Sequence, residues 1–145
     1  MLPDYNQDGN LPEGIHRATA AEVLDRFGTA SARRLWLAER LRDLLEVAKS
    51  TGKLERVFLW GRFVTSKTSP NDLDVLLVMA SDFDLDESPE ECKVLFDHPR
   101  GRIRFNADVF WTKASIGQET LDFWLDTYQT GKDFKRRGIV EVAIR

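Results

Sequence analysis

Several things are scarce in this sequence, and each scarcity excludes a class. A single cysteine, Cys92, in 145 residues forbids an internal disulfide; a secreted disulfide scaffold is excluded and a reducing, cytoplasmic setting is expected. Nine glycines and five prolines beside 42% hydrophobic residues do not make a disordered or low-complexity chain. The two histidines, His16 and His98, are too isolated for a zinc site, and nothing resembles a Ser-His-Asp set. Long apolar runs are missing: Leu73 to Ala80 is interrupted by Asp74 and falls far short of the roughly 20 residues that cross a bilayer. The opening Met1 to Asp8 has neither the basic nor the apolar region of a secretory signal, so none is expected. Positive charge is not in excess either. With 21 Lys and Arg against 24 Asp and Glu, the net charge of −3 disfavours nucleic-acid backbone binding, leaving only a local basic patch open.

What is present has the length and composition of one globular domain able to bury a core without staples. Residues 1–18 carry Pro3, Asp8-Gly9-Asn10 and Pro12-Glu13-Gly14 and read as an irregular lead-in. Thr19-Ala20-Ala21-Glu22 has the form of a capping box, with Gly28 as the stop of the first helix. Ser31 opens a longer one with an apolar stripe through Leu35, Ala38, Leu41, Leu45 and Ala48, Trp36 also being assigned to the core. Val57 to Trp60 and Leu73 to Val78 predict two buried, central strands around a turn-rich segment. An acidic loop over 81–91, a short helix after Pro89 and a turn at His98 to Gly101 lead to a third strand, Arg102 to Trp111, by alternation. Ser115 caps a helix that runs to Gly131, and Ile139 to Ile144 forms a last strand. The order α-α-β-β-(α)-β-α-β predicts one α+β domain with a small mixed sheet flanked by helices.

Asp72 and Asp74 are two apart at the mouth of a hydrophobic strand, so both carboxylates leave one face with Cα atoms about 6–7 Å apart. Carboxylates at such a place are expensive unless hydrogen-bonded or bound to a metal. Asp108 lies on the polar face of the third strand, and three carboxylates converge if the two strands are neighbours. An all-oxygen set of this kind suits Mg²⁺, which takes the rest of its shell from water and substrate phosphates. Two such ions about 3.5–4 Å apart stabilise both oxygens of an in-line phosphoryl displacement. The competing reading makes Asp72 a turn cap, Asp74 an arginine partner and Asp108 a solvated strand residue.

Gly61 follows the first of these strands directly, within Trp60-Gly61-Arg62-Phe63-Val64-Thr65-Ser66-Lys67. A glycine there lets backbone N–H groups approach a phosphate, with hydroxyls and cations alongside. Phe58-Leu59-Trp60-Gly61-Arg62, then Asp72-Leu73-Asp74, then Asp108 on a later strand, resembles the nucleotidyltransferase superfamily that includes DNA polymerase β. The wider phrase Gly61 to Val75, with Leu11 to His16 and Gly138 to Glu141, is similar to a family of small bacterial uncharacterised proteins of that fold, which extends the likeness over most of the chain. The resemblance implies a minimal nucleotidyltransferase domain over residues 1–145. It implies that Asp72 and Asp74 bind both Mg²⁺ ions, that Asp108 binds the ion on the nucleophile side, and that Gly61 faces the NTP triphosphate. The serine that normally follows the glycine is Arg62 here. Arg62 either clamps phosphate or folds back onto Asp72 or Asp74, and Lys67 is the expected second phosphate cation.

Two functions follow as expectations. One is Mg²⁺-dependent transfer of a nucleoside monophosphate from an NTP to a hydroxyl on a protein, RNA or small molecule. The other is a catalytically weakened binding module, such as the antitoxin of a bacterial toxin-antitoxin pair. A chain this short leaves no room for an acceptor-gripping domain, so a second copy or a separate partner protein is expected to hold the acceptor. Three further features are read as structural. Asp82 to Asp86 imitates a calcium loop but has Glu87 where glycine is needed and Lys93 where the bidentate glutamate belongs. Cys92 reads as core, and the Lys132 to Arg137 run as a charged surface or a phosphate contact.

Overall fold

Every residue of the strand Leu73–Met79 is buried except Asp74, and this strand organises the molecule. The computed structural model describes residues 1–144. In chain order the regular elements are β1 (Ile15–Thr19), α1 (Ala20–Phe27), α2 (Ala32–Ser50), β2 (Leu54–Trp60), β3 (Leu73–Met79), α3 (His98–Phe105), β4 (Ala107–Lys113), α4 (Gln118–Tyr128) and β5 (Ile139–Ala143), with short 3₁₀ turns between them. The architecture is α+β, a five-stranded mixed sheet in the order β1-β5-β2-β3-β4. β1 pairs parallel with β5, and β3 parallel with β4, while β2 runs antiparallel to both of its neighbours. β2 and β3 are interior, as their apolar runs predict.

The two sheet faces are covered unequally. Leu73, Val75, Leu77 and Met79 of β3 pack with α1, α2 and the 3₁₀ turn Glu90–Phe96 in the larger core. Leu76 and Val78 meet Leu121 and Leu125 of α4 on the other face. Each large side chain so buried contributes roughly 1.5–3 kcal/mol. The helix caps form as the sequence predicts: Thr19 and Glu22 complete a capping box, and Ser31 accepts the amide of Arg34.

Four expectations are corrected. The lead-in is ordered: β1 occupies its end, Leu2 and Leu11 are buried, and Asn10 bridges Thr65. β1 escapes a pattern search because Ala18 alone of its five residues is buried. The expected strand Arg102 to Trp111 is half helix. Asp97 caps α3 with Pro99 in its first turn, Asn106 ends it in a left-handed conformation at φ 50°, and β4 starts only at Ala107. Ile103, which alternation assigns to a buried face, is 85% exposed. Leu35 and Trp36 also lie outside the core. Trp36 sits between the guanidinium groups of Arg33 and Arg40, 4.7 and 4.6 Å from its ring. At α4 the N-cap is Gly117 rather than Ser115, which falls in a 3₁₀ turn.

Candidate active site

The site forms where β2 ends and β3 and β4 begin. Register places Trp60 opposite Asp74 on the antiparallel side and Asp108 beside Asp74 on the parallel side. The chain reverses between β2 and β3 through Gly61, at φ 83° and ψ −164°, a backbone conformation for glycine. A Cβ at Gly61 would also collide with Oδ2 of Asp74, so the turn lies directly against this carboxylate.

The N-terminal end of α2 anchors that turn. Arg34, 2% exposed, donates from Nη1 to the carbonyls of Phe27 and Phe63 at 2.9 and 2.7 Å, and from Nε to that of Lys67 at 2.9 Å. Its Nη2 donates to the carbonyl of Thr65 at 2.6 Å. Ser31 holds the carbonyl of Thr68, and Arg33 those of Pro70 and Asn71. The backbone carbonyls of the turn thus face inward onto arginine, which satisfies acceptors that burial would otherwise strand.

Asp72, Asp74 and Asp108 do converge. Burial, then the charges of Asp72 and Asp108, push the Asp74 carboxyl up to about 7, against a smaller opposing pull from Lys132 and Arg102. The cation on the outer two carboxylates is not Arg62. Arg102 of α3 donates from Nη2 to Asp72 at 3.1 Å and from Nη1 to Asp108 at 3.4 Å, and His98 Nε2 lies 3.1 Å from the same Asp108 oxygen. Arg62 forms no ion pair with either Asp72 or Asp74 among the described residues. His98 and Arg102 go unnoticed while 102–111 is read as a strand. The signal that finds them is an Asp97 cap and Pro99 starting a helix, with His98 and Arg102 one turn apart.

Asp72 and Asp74 line a cleft of about 420 Å³ with Gly61, Arg62, Lys132 and Arg137. Trp60 and Tyr128, stacked with centroids 3.8 Å apart, form its apolar wall. Lys132 and Arg137 bring the basic segment before β5 to the acidic strands, a convergence the sequence does not announce. Lys67 is elsewhere: it lines a smaller neighbouring cleft that shares only Arg62 and Arg137 with the first.

The donors fit a hard divalent cation in kind, since all three are carboxylates and Asp74, held protonated to about pH 7 by burial and then by its neighbours' negative charge, would be relieved by a cation. They are not preassembled into a ligand set: among the described residues no three acidic, imidazole or thiol groups meet at metal-binding geometry. Binding would require Asp72 and Asp108 to exchange Arg102 for the ion.

These features define an α+β protein whose mixed sheet presents a carboxylate cluster opposite a cationic loop, across a cleft walled by a glycine turn. The chain belongs to a family of unknown function, DUF6932, which it matches over residues 3–143. No curated protein and no solved structure gives a significant match to it. Among the described residues no helix is long and apolar enough to cross a membrane.

Proposed function

We propose that this protein is a Mg²⁺-dependent nucleotidyltransferase that moves a nucleoside monophosphate from an NTP to a hydroxyl acceptor and releases pyrophosphate. The acceptor oxygen bonds to the α-phosphorus, the bond from that phosphorus to the bridging oxygen breaks, and the hydroxyl proton leaves with a base. One observation carries the reading: Asp72, Asp74 and Asp108 converge beside the Gly61 turn, with Lys132 and Arg137 across the cleft. When bound, Mg²⁺ would supply charge neutralisation at the reacting phosphate. The chain's own residues would do the positioning. Gly61 allows the triphosphate to approach the backbone, Lys132 and Arg137 draw its charge into the cleft, and Asp108 aligns the acceptor. The acceptor would sit on a separate partner or second copy, for which an apolar groove of about 540 Å³ lined by Phe110, Phe123 and Trp124 adjoins the site through Tyr128. The buried free thiol of Cys92 accords with a cytoplasmic location.

The test is incubation with each labelled NTP, Mg²⁺ and candidate acceptors, beside the Asp74→Asn variant. Label transferred by the native protein and not by the variant supports the assignment; equal transfer by both overturns it.

A second reading rests on Arg102. A guanidinium spanning Asp72 and Asp108 is what a binding module with a weakened site, such as an antitoxin, would retain. Thermal shifts with NTP, with and without Mg²⁺, separate the two. A metal-dependent nucleotide shift favours the transferase, and no shift together with a co-purifying small protein favours the module.

A further inference from the structure

Adjoining the first cleft at Arg62 and Arg137 is a second of about 260 Å³, lined by Arg62, Thr65, Ser66, Lys67, Lys135 and Arg137 and by none of Asp72, Asp74 and Asp108. Four cations from two separated stretches of chain, 62–67 and 135–137, face it against two carboxylates, Asp8 and Asp133, which pair with Lys135 and Arg137. Its volume suits one or two phosphate groups and is too small for a whole nucleotide.

Arg137 is the unusual member. Its residue surface is 9% exposed, yet both its side-chain hydrogen bonds among the described residues run from Nη2 to the Asp133 carboxylate, each at 2.9 Å. Its Nε is buried and has no partner among the described residues. A guanidinium has five donors, and burying them unpaired is costly. The loop nevertheless conforms to it. A Cβ at Gly131 would meet the guanidinium carbon at 2.7 Å, so the guanidinium lies directly against the loop backbone at this glycine. Phe134 adopts φ 64°, a conformation that a bulky side chain rarely takes. The Arg137 amide is in turn fixed on the Gln129 carbonyl at 2.7 Å. Strain and desolvation are thus both spent to hold one cation at this wall.

The opposite wall is prepared in the same sense. Arg34 draws the carbonyls of Thr65 and Lys67 inward, which removes from the cleft the groups that would repel an anion. The hydroxyl of Thr65 is used internally, donating to the Arg62 carbonyl at 2.6 Å. Ser66 and Lys67 remain to face a ligand.

We propose that this second cleft is an oxyanion site for a pyrophosphate-sized group, held by Arg137 and Lys67 with Lys135 and Arg62 at its rim. It is separate from the phosphate position that the Gly61 turn implies, and it does not depend on transfer chemistry. The group can be free pyrophosphate or the terminal phosphates of a nucleotide seated in the larger cleft, reached through the shared Arg62 and Arg137.

The experiment is calorimetric titration of the intact protein with sodium pyrophosphate in metal-free buffer. Saturable binding at one site is expected, weakened by at least about tenfold in Arg137→Gln, the scale of one lost charge-assisted hydrogen bond. Because Arg137→Gln could disturb folding, the half-buried Lys67→Ala together with the exposed Lys135→Ala is measured as well, and it too loses affinity. Asp74→Asn retains pyrophosphate binding, whether or not the native protein transfers nucleotides, so the two proposals fail separately. Competition between a non-hydrolysable NTP and pyrophosphate identifies terminal phosphates as the ligand; simultaneous binding identifies the free anion. Absence of saturable binding, or binding indifferent to both the Arg137 and the paired lysine changes, overturns the proposal.

Discussion

Asp74 and Asp108 occupy the same level of two parallel strands, side by side in the β3–β4 register, at the point where the sheet changes from apolar to charged. Parallel neighbours lie about 4.7–4.9 Å apart, so the two carboxylates cannot both ionise freely. Burial of Asp74, reinforced by the charges of Asp72 and then Asp108, holds a proton on it to about pH 7.

That proton makes stability depend on pH. The unfolded aspartyl releases it near 3.8 and the folded one near 7, so the folded state binds more protons between these values. Stability from this group is complete below about pH 4 and declines as pH rises to 7, by at most about 4 kcal/mol. In metal-free buffer the native protein should melt at a lower temperature at pH 8 than at pH 5. Asp74→Asn should flatten the profile and match or exceed the native melting temperature at pH 8. A native profile that rises over this interval and is unaltered by the substitution would contradict the burial and repulsion assigned to Asp74.

Arg102 and a divalent cation should compete. With a side chain 40% exposed, its ion pairs are worth no more than about 1 kcal/mol to the fold. Arg102→Ala should therefore leave stability almost level while increasing the response to Mg²⁺. Titration followed by tryptophan fluorescence, with Trp60 lining the cleft, measures this directly. An unchanged metal response would make Arg102 a strut rather than a competitor.

Arg34 offers a sharper stability test. Arg34→Met strands the carbonyls of Phe27, Phe63, Thr65 and Lys67 in a buried turn and should cost about 3–5 kcal/mol, near the penalty for breaking a buried charged network. Arg34→Lys should recover little, because one ammonium cannot reproduce the planar fork. Urea denaturation gives both values, and near-native stability for the lysine variant would show that the fork is dispensable.

Gly61→Ala should damage both fold and site. The added carbon meets Asp74 Oδ2 and the backbone sits at φ 83°, so a loss of roughly 1–3 kcal/mol is expected from the conformation alone. Under the nucleotidyltransferase reading, nucleotide-dependent thermal shifts should vanish in any fraction that still folds. A variant that folds normally and keeps those shifts would remove Gly61 from the site.

Much of this arrangement can be read from the residues. The Gly61 turn, Asp72, Asp74 and Asp108 stand out because polar groups interrupt apolar strands, and Thr19 and Ser31 announce their helices through short-range capping. The segment 98–111 misleads because Ile103, Phe105, Ala107 and Val109 satisfy a strand period while Asp97 and Pro99 start a helix over the same residues. Local capping prevails there as far as Asn106, whose left-handed turn hands the chain to β4. His98 and Arg102 were hidden by that ambiguity. β1 was hidden for a different reason: its identity is fixed by β5, more than a hundred residues away, rather than by its own side chains. Lys132 and Arg137 likewise gain meaning only when folding brings their loop against β3.

The strand order carries one more consequence. β5 is the last strand in sequence among the described residues, yet it sits inside the sheet, as the only partner of β1 and one of the two partners of β2. During synthesis the carboxylate-bearing strands β2, β3 and β4 can pair while β1 still has nothing to join. The loop bearing Lys132 and Arg137 immediately precedes β5. The acidic half of the cleft is therefore complete in sequence before its cationic half is reached, and the pairing of β5 with β2 and β1 is what joins β1 to the sheet and sets the opposing charges across the cleft.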